Sequence, residues 1–199
     1  MELSVGQKVS YPNQGVCMVE EIEKKSIAGN QMKFYSLRVL SDNSTIFVPT
    51  ANAEAVGLRP IIGTKQCKNL LEYLGEDFDK VSSDWKVRSR EFNDKLQSGD
   101  IFEAADVLKK LTYLSTEKKL SFREQSLLEK AKFLIVSELR SAEDGSEKKI
   151  ERKVQKLIEA ACGHHSAVLE KEEEEEEAKG NGKSETKSKA KSKSKKKGH

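Results

Sequence analysis

The hydrophobic period of this chain changes once, and that change constrains the fold more than any other feature. From Val5 to Pro60 apolar and polar residues tend to alternate, with many β-branched and aromatic side chains; after Gly63 the apolar positions recur every three to four residues. A period of about 2 belongs to strands and one of about 3.6 to helices. The chain therefore reads as an α+β protein with its strands first and its helices after.

Turn chemistry divides the first segment. A strand over Gly6–Tyr11 stops at Pro12-Asn13-Gln14-Gly15, and Val16–Ile27 makes the next. Ala28-Gly29-Asn30 supplies a turn in which Gly29 is free to take positive φ. Phe34 to Leu40 suggests a strand partly buried on both faces, Ser41–Ser44 turns the chain, and Thr45–Pro49 forms another strand. Pro49 belongs at its end because proline cannot donate to a ladder. Four or five short strands at this spacing imply a small, strongly bent SH3- or Tudor-like β-barrel.

The second segment reads as a compact helical bundle. Cys67, Leu70, Leu71 and Leu74 share one face and end at Gly75. Ser83-Asp84 caps a helix with apolar positions Trp85, Phe92 and Leu96, ending at Gly99. Asp100 caps the next, Ser121-Phe122-Arg123-Glu124 is a capping box before a fourth, and Asp144-Gly145-Ser146 breaks the chain before a last stripe from Ile150 to Ala161. From Leu169 onward acidic Glu170–Glu177 is followed by a Lys/Ser-rich run from Lys179 to Lys197. Charge blocks without apolar residues predict disorder. The organisation is thus a barrel over 1–62, a helical domain over 63–168 and a tail over 169–199.

Charge is segregated in the same way. The net charge is only +3, but ten Lys and eight Glu lie beyond Val168, leaving 26 basic and 25 acidic residues upstream. Any basic site on the body must therefore be local. The three cysteines, Cys17, Cys67 and Cys162, are far apart and form no CxxC pair, and His164-His165 has no matching ligand cluster, so neither zinc nor a disulfide framework is predicted. No apolar run approaches the roughly 20 residues of a membrane span, and Met1-Glu2-Leu3 opens no signal peptide. No phosphate-binding, dinucleotide or nucleophile-elbow motif is present. These readings describe a cytoplasmic, cofactor-free protein that is not an enzyme.

Three stretches could bind partners. Trp85, the single Trp, opens a helix beside Lys86, Arg88 and Arg90. Cations at a helix start can hold phosphates, and an indole among them can wedge at a distorted base step. Trp85 also lies on the stripe of Phe92 and Leu96, which would make it core, and both readings stand. The strand Thr45-Ile46-Phe47-Val48-Pro49 is a candidate binding edge or an ordinary barrel strand. The tail's closely spaced Lys can add salt-sensitive affinity for nucleic acid, or serve only solubility.

The order of these segments and the wording inside them resemble the CarD/CdnL family of transcription regulators. In the barrel the resemblance rests on Val5-Gly6, Val9-x-Tyr11-Pro12, Gly15, Glu20-x-Ile22-Glu23, Val48-Pro49, Asn52-Ala53-Glu54 and Val56-Gly57-Leu58-Arg59. In the helices it rests on Trp85, Arg88, Leu96-x-Ser98-Gly99-Asp100, Leu120-Ser121 and Glu138-Leu139, and it runs from about Leu3 to Ala160. The barrel is also similar to that of transcription-repair coupling factors. The resemblance implies a monomer whose barrel docks on the β subunit of RNA polymerase through Lys25 and Thr45, Ile46, Phe47, Val48 and Pro49. It further implies that Trp85 wedges into promoter DNA at the upstream fork of the bubble, with Lys86, Arg88 and Arg90 on phosphates. Phe47 stands where relatives can have Arg. An adaptor that binds only through its barrel, or a nucleoid-type DNA binder driven by its tail, is the alternative.

Overall fold

The computed structural model describes residues 2–27, 30–143 and 146–191. The turn at Ala28-Gly29, the break at Asp144-Gly145 and the last eight residues of the tail lie outside the described residues. The chain divides into two compact units, Met1–Cys162 and Gly163–His199.

Strands β1 (Lys8–Tyr11), β2 (Gly15–Ile27), β3 (Asn30–Val39), β4 (Thr45–Pro49) and β5 (Arg59–Pro60) form one antiparallel sheet in the order β4-β3-β2-β1-β5. β2, at 13 residues, matches the strand expected over Val16–Ile27, whereas β3, at 10 residues, starts four residues before the Phe34 expected. Their register shifts between Val19 and Glu21; such a bulge bends the strand and increases its twist. Val9, Cys17, Val19, Tyr35, Leu37, Val39 and Val48 face inward and pack with Leu3, Ala53 and Leu58. Burial pushes the thiol of Cys17 up to about 11, so this cysteine stays protonated and acts as a small apolar core residue.

Five helices follow: α1 (Thr64–Gly75), α2 (Trp85–Gln97), α3 (Ile101–Glu117), α4 (Phe122–Glu143) and α5 (Glu147–Lys191). The caps sit where the sequence put them. The Asp84 carboxylate accepts from the Lys86 N–H at 2.8 Å and that of Asp100 from the Phe102 N–H at 2.8 Å. Ser121 and Glu124 close a reciprocal capping box at 3.0 and 3.3 Å. A second core, distinct from that of the sheet, runs from Ile62 through the faces of α1–α4 to Ile150, Val154, Ile158, Ala161 and Cys162 of α5. α5 stays helical to Lys191, whereas composition predicts a disordered tail from Leu169. Glu, Lys and Ala are strong helix formers, and no Gly or Pro interrupts residues 169–179. The sequence there supplies charge but no apolar stripe. Among the described residues no helix is long and apolar enough to cross a membrane.

Sheet and helices meet at a polar junction. The Arg59 guanidinium grips the Glu138 carboxylate with both terminal nitrogens, the longer bond at 2.9 Å, while its Nε donates to the Gly99 carbonyl at 2.8 Å. Glu138 is only 1% exposed and also accepts from the Ile62 N–H at 3.0 Å. A bidentate, charge-assisted pair of this kind fixes orientation as well as distance. Gly57 and Gly99 pack beside it with φ of +76° and +80°. A Cβ on Gly57 would stand 2.8 Å from Pro12 Cγ and 3.0 Å from the Ser98 carbonyl. Pro12, Gly57, Arg59, Ser98, Gly99 and Glu138 all belong to the stretches that carry the family resemblance, and they converge at this one place.

Candidate nucleic-acid interface and sheet edge

At the start of α2 the side chains divide into those that leave the fold and those that hold it. Phe92 and Leu96 are 1% and 2% exposed, as the stripe predicts, but Trp85 on the same stripe is 60% exposed. The core ends one turn short of it, at a layer occupied by Arg88. Lys86 lies beside the indole, its ammonium 5.8 Å from the ring centroid. The Arg90 side chain is 87% exposed, with only a loose 3.9 Å approach to Asp94.

Arg88 does not belong with Lys86 and Arg90. It is 2% exposed, and its guanidinium donates to the Ser82 and Ser83 carbonyls and, at 2.7 Å, to Glu124 of α4. The sequence reading of Arg88 as a phosphate ligand is therefore corrected. Its donors are committed to the loop before α2 and to the neighbouring helix, because a buried cation needs a carboxylate. Its Nε has no hydrogen-bond partner among the described residues. Glu124 was legible only as a capping-box residue, and its second task was not. Burial raises the Glu124 pKa, but hydrogen bonds from the Ser121 N–H and hydroxyl and from Arg88 outweigh it and bring the carboxyl down to about 2. Glu124 thus stays ionised and ties the first turn of α4 to that of α2. Lower on α2, Lys95 reaches Asp106 of α3 at 2.6 Å and fixes the helix body.

The sheet edge follows a simpler rule. β4 is a terminal strand of the sheet, so one row of its backbone groups is unpaired by the sheet and open to strand addition. Its side chains alternate. Thr45 and Phe47 pair with Arg38 and Ser36 on the outer face, and Lys25, which pairs with Met32 on that same face, sets its ammonium 3.4 Å from the Phe47 ring centroid. Ile46 and Val48 point the other way. Val48 is 3% exposed in the sheet core and Ile46 packs against it. The strand expected to present five contact side chains therefore presents Thr45 and Phe47, with Pro49 half-buried at its end, and two of the five belong to the core. A pleat cannot turn successive side chains to one face.

Two family models match the chain in succession: the CarD-like/TRCF RID domain over residues 3–62 and the CarD C-terminal domain over residues 69–155. This chain belongs to the CarD/CdnL family. CarD proteins are transcription regulators, and the RID domain is their RNA polymerase-interacting module. The chain is similar to YdeB of Bacillus subtilis (strain 168), which is named as a transcription factor, with 27% identity over 146 residues, 73% of this chain and 95% of YdeB. It is also similar to the N-terminal domain of Myxococcus xanthus CarD, solved by solution NMR, with 41% identity across 30% of this chain and 79% of that one and a TM-score of 0.27. The boundary between the two CarD models, between residues 62 and 69, falls where the sheet core gives way to the helical core.

Proposed function

We propose that this CarD-family protein docks on the β subunit of RNA polymerase through the outer face and open edge of β4, and stabilises the promoter open complex by inserting Trp85 into the minor groove at the upstream fork. The observation that carries this is the 60% exposure of the single Trp on a helix whose other aromatic, Phe92, is 1% exposed. A fold that needed this indole for stability would have buried it. Lys86 and Arg90, exposed one turn apart on the same side of α2, hold phosphates in a sequence-independent way. Arg88 acts indirectly, by fixing the loop and the first turn that carry Trp85. Phe47 and Lys25 form one apolar and cationic unit on the polymerase side.

The mechanism is kinetic. If the indole meets DNA only once the strands have separated, its contact energy goes wholly into slowing bubble collapse. Aromatic contacts with bases are worth about 1–3 kcal/mol, and about 1.4 kcal/mol is tenfold in an equilibrium. One wedge therefore lengthens the lifetime roughly tenfold without reading sequence. Acting on RNA polymerase, the protein works in the cytoplasm, at the nucleoid, as a monomer without a cofactor.

The test is open-complex lifetime on a ribosomal-type promoter with wild type, Trp85→Ala and a chain truncated after Val168. The proposal expects wild type and the truncation to lengthen the lifetime and Trp85→Ala to lose that effect while still binding polymerase. If Trp85→Ala behaves as wild type, the indole is not the wedge. If the truncation alone abolishes the effect, the Lys-rich tail drives it instead.

A further inference from the structure

We infer that Phe122 and Arg123, at the start of α4, form a second DNA contact beside Trp85, so that two aromatic side chains rather than one engage the fork. This rests on the reading of Trp85 above. Phe122 is 92% exposed, the most exposed of the large hydrophobic side chains among the described residues. Folding does not account for it, since the buried stripe of α4 starts at Leu127 and continues through Ala131, Leu134 and Ile135. Its position is fixed: the capping box seats Ser121 on Glu124, and Glu124 is bound to Arg88 at 2.7 Å. That bond joins the first turns of α2 and α4. Both triplets, Asp84-Trp85-Lys86 at the start of α2 and Ser121-Phe122-Arg123 at the start of α4, run capping side chain, exposed aromatic, exposed cation.

Charge selects the partner. Lys118, Lys119 and Arg123 are exposed and form no ion pair among the described residues. Of the carboxylates on these segments, Glu124 is committed to Arg88 and Ser121 and Asp84 caps α2 through the Lys86 N–H, which leaves Glu117 without an ion pair among the described residues. Protein interfaces are depleted in Lys around their apolar anchors. Three exposed cations within four residues of one exposed phenyl ring match instead a phosphate backbone with a sugar or an unstacked base against the ring. Two contacts at the fork also divide the labour. Trp85 meets the DNA where strands part, and Phe122 keeps the neighbouring backbone from sliding off it.

The experiment uses the full chain with RNA polymerase and promoter DNA. A photocrosslinking benzoylphenylalanine replaces Phe122 in one protein, and Phe122→Ala is compared with Trp85→Ala for open-complex lifetime. Crosslinks to promoter DNA at or beside the upstream fork are expected, together with a lifetime shortened about fivefold by Phe122→Ala and an unchanged unfolding midpoint. Crosslinks to polymerase subunits alone, or none, would overturn the inference. So would a Phe122→Ala lifetime equal to wild type where Trp85→Ala loses its effect. If Trp85→Ala has no effect but position 122 crosslinks to DNA, the wedge is lost and the second contact stands.

Discussion

Phe47 and Trp85, the exposed aromatics of the two interfaces, reach the surface by different physical routes. Phe47 is outward because the pleat of β4 puts it there, with Ile46 and Val48 necessarily inward. Its exposure is a local property, and the Lys25 ammonium 3.4 Å from its ring needs only the neighbouring strands. Trp85 is outward because a layer between α2 and α4 is filled by Arg88 and Glu124, residues 36 positions apart. One surface is written by strand alternation. The other is held open by a long-range ion pair, and it should be the more fragile.

Breaking that pair is the sharpest test of the difference. Glu124→Ala leaves the Arg88 cation buried and alone, a loss of about 3–5 kcal/mol, read by urea unfolding, and it removes open-complex stabilisation without touching Trp85. Acid acts on the same bond. The Glu124 carboxyl has a folded value of about 2 against an ordinary 4.5, so its contribution to stability is complete above about pH 4.5 and is lost as pH falls toward about 2. A Glu124→Gln variant should flatten the stability profile across that window. An unchanged profile would mean that another group carries the acid response.

Gly57→Ala probes whether the two surfaces act as one body. With φ at +76° and Pro12 and the Ser98 carbonyl in the way, it should cost about 1–3 kcal/mol in unfolding and weaken polymerase-dependent function more than polymerase binding. Trp85→Ala should change folding stability by less than about 0.5 kcal/mol while costing roughly tenfold in open-complex lifetime. A large stability loss instead would show that the indole is a core residue in solution. Phe47→Ala should be the mildest. It removes a surface cation–π pair worth about 0.5–1 kcal/mol, leaves the fold intact and weakens polymerase binding by a few-fold in titration.

Much of this was legible in the chain. The change of period at Gly63 separated the sheet core from the helical core, and Pro12-Asn13-Gln14-Gly15, Asp84, Asp100 and Ser121-Glu124 marked element ends that the structure keeps. The candidate DNA site was legible only in part. Trp85, Lys86 and Arg90 were found through an aromatic among cations at a helix start, but Arg88 was grouped with them because charge alone does not reveal burial. Phe122 passed unnoticed inside its capping box. On the sheet, alternation could have removed Ile46 and Val48 from the contact set, since the pleat is a sequence-level rule.

The sequence by itself determined the order of strands and helices up to the tail, their caps and the family, because period, turn chemistry and capping act over a few residues. Tertiary structure alone decided which members of a stripe the core would reach. It left Trp85 at 60% exposure and took Arg88 to 2%, because burial depends on where α4 lies. It also brought Pro12, Gly57, Arg59, Gly99 and Glu138 to one junction, because buried charges must find their partners wherever the chain has carried them.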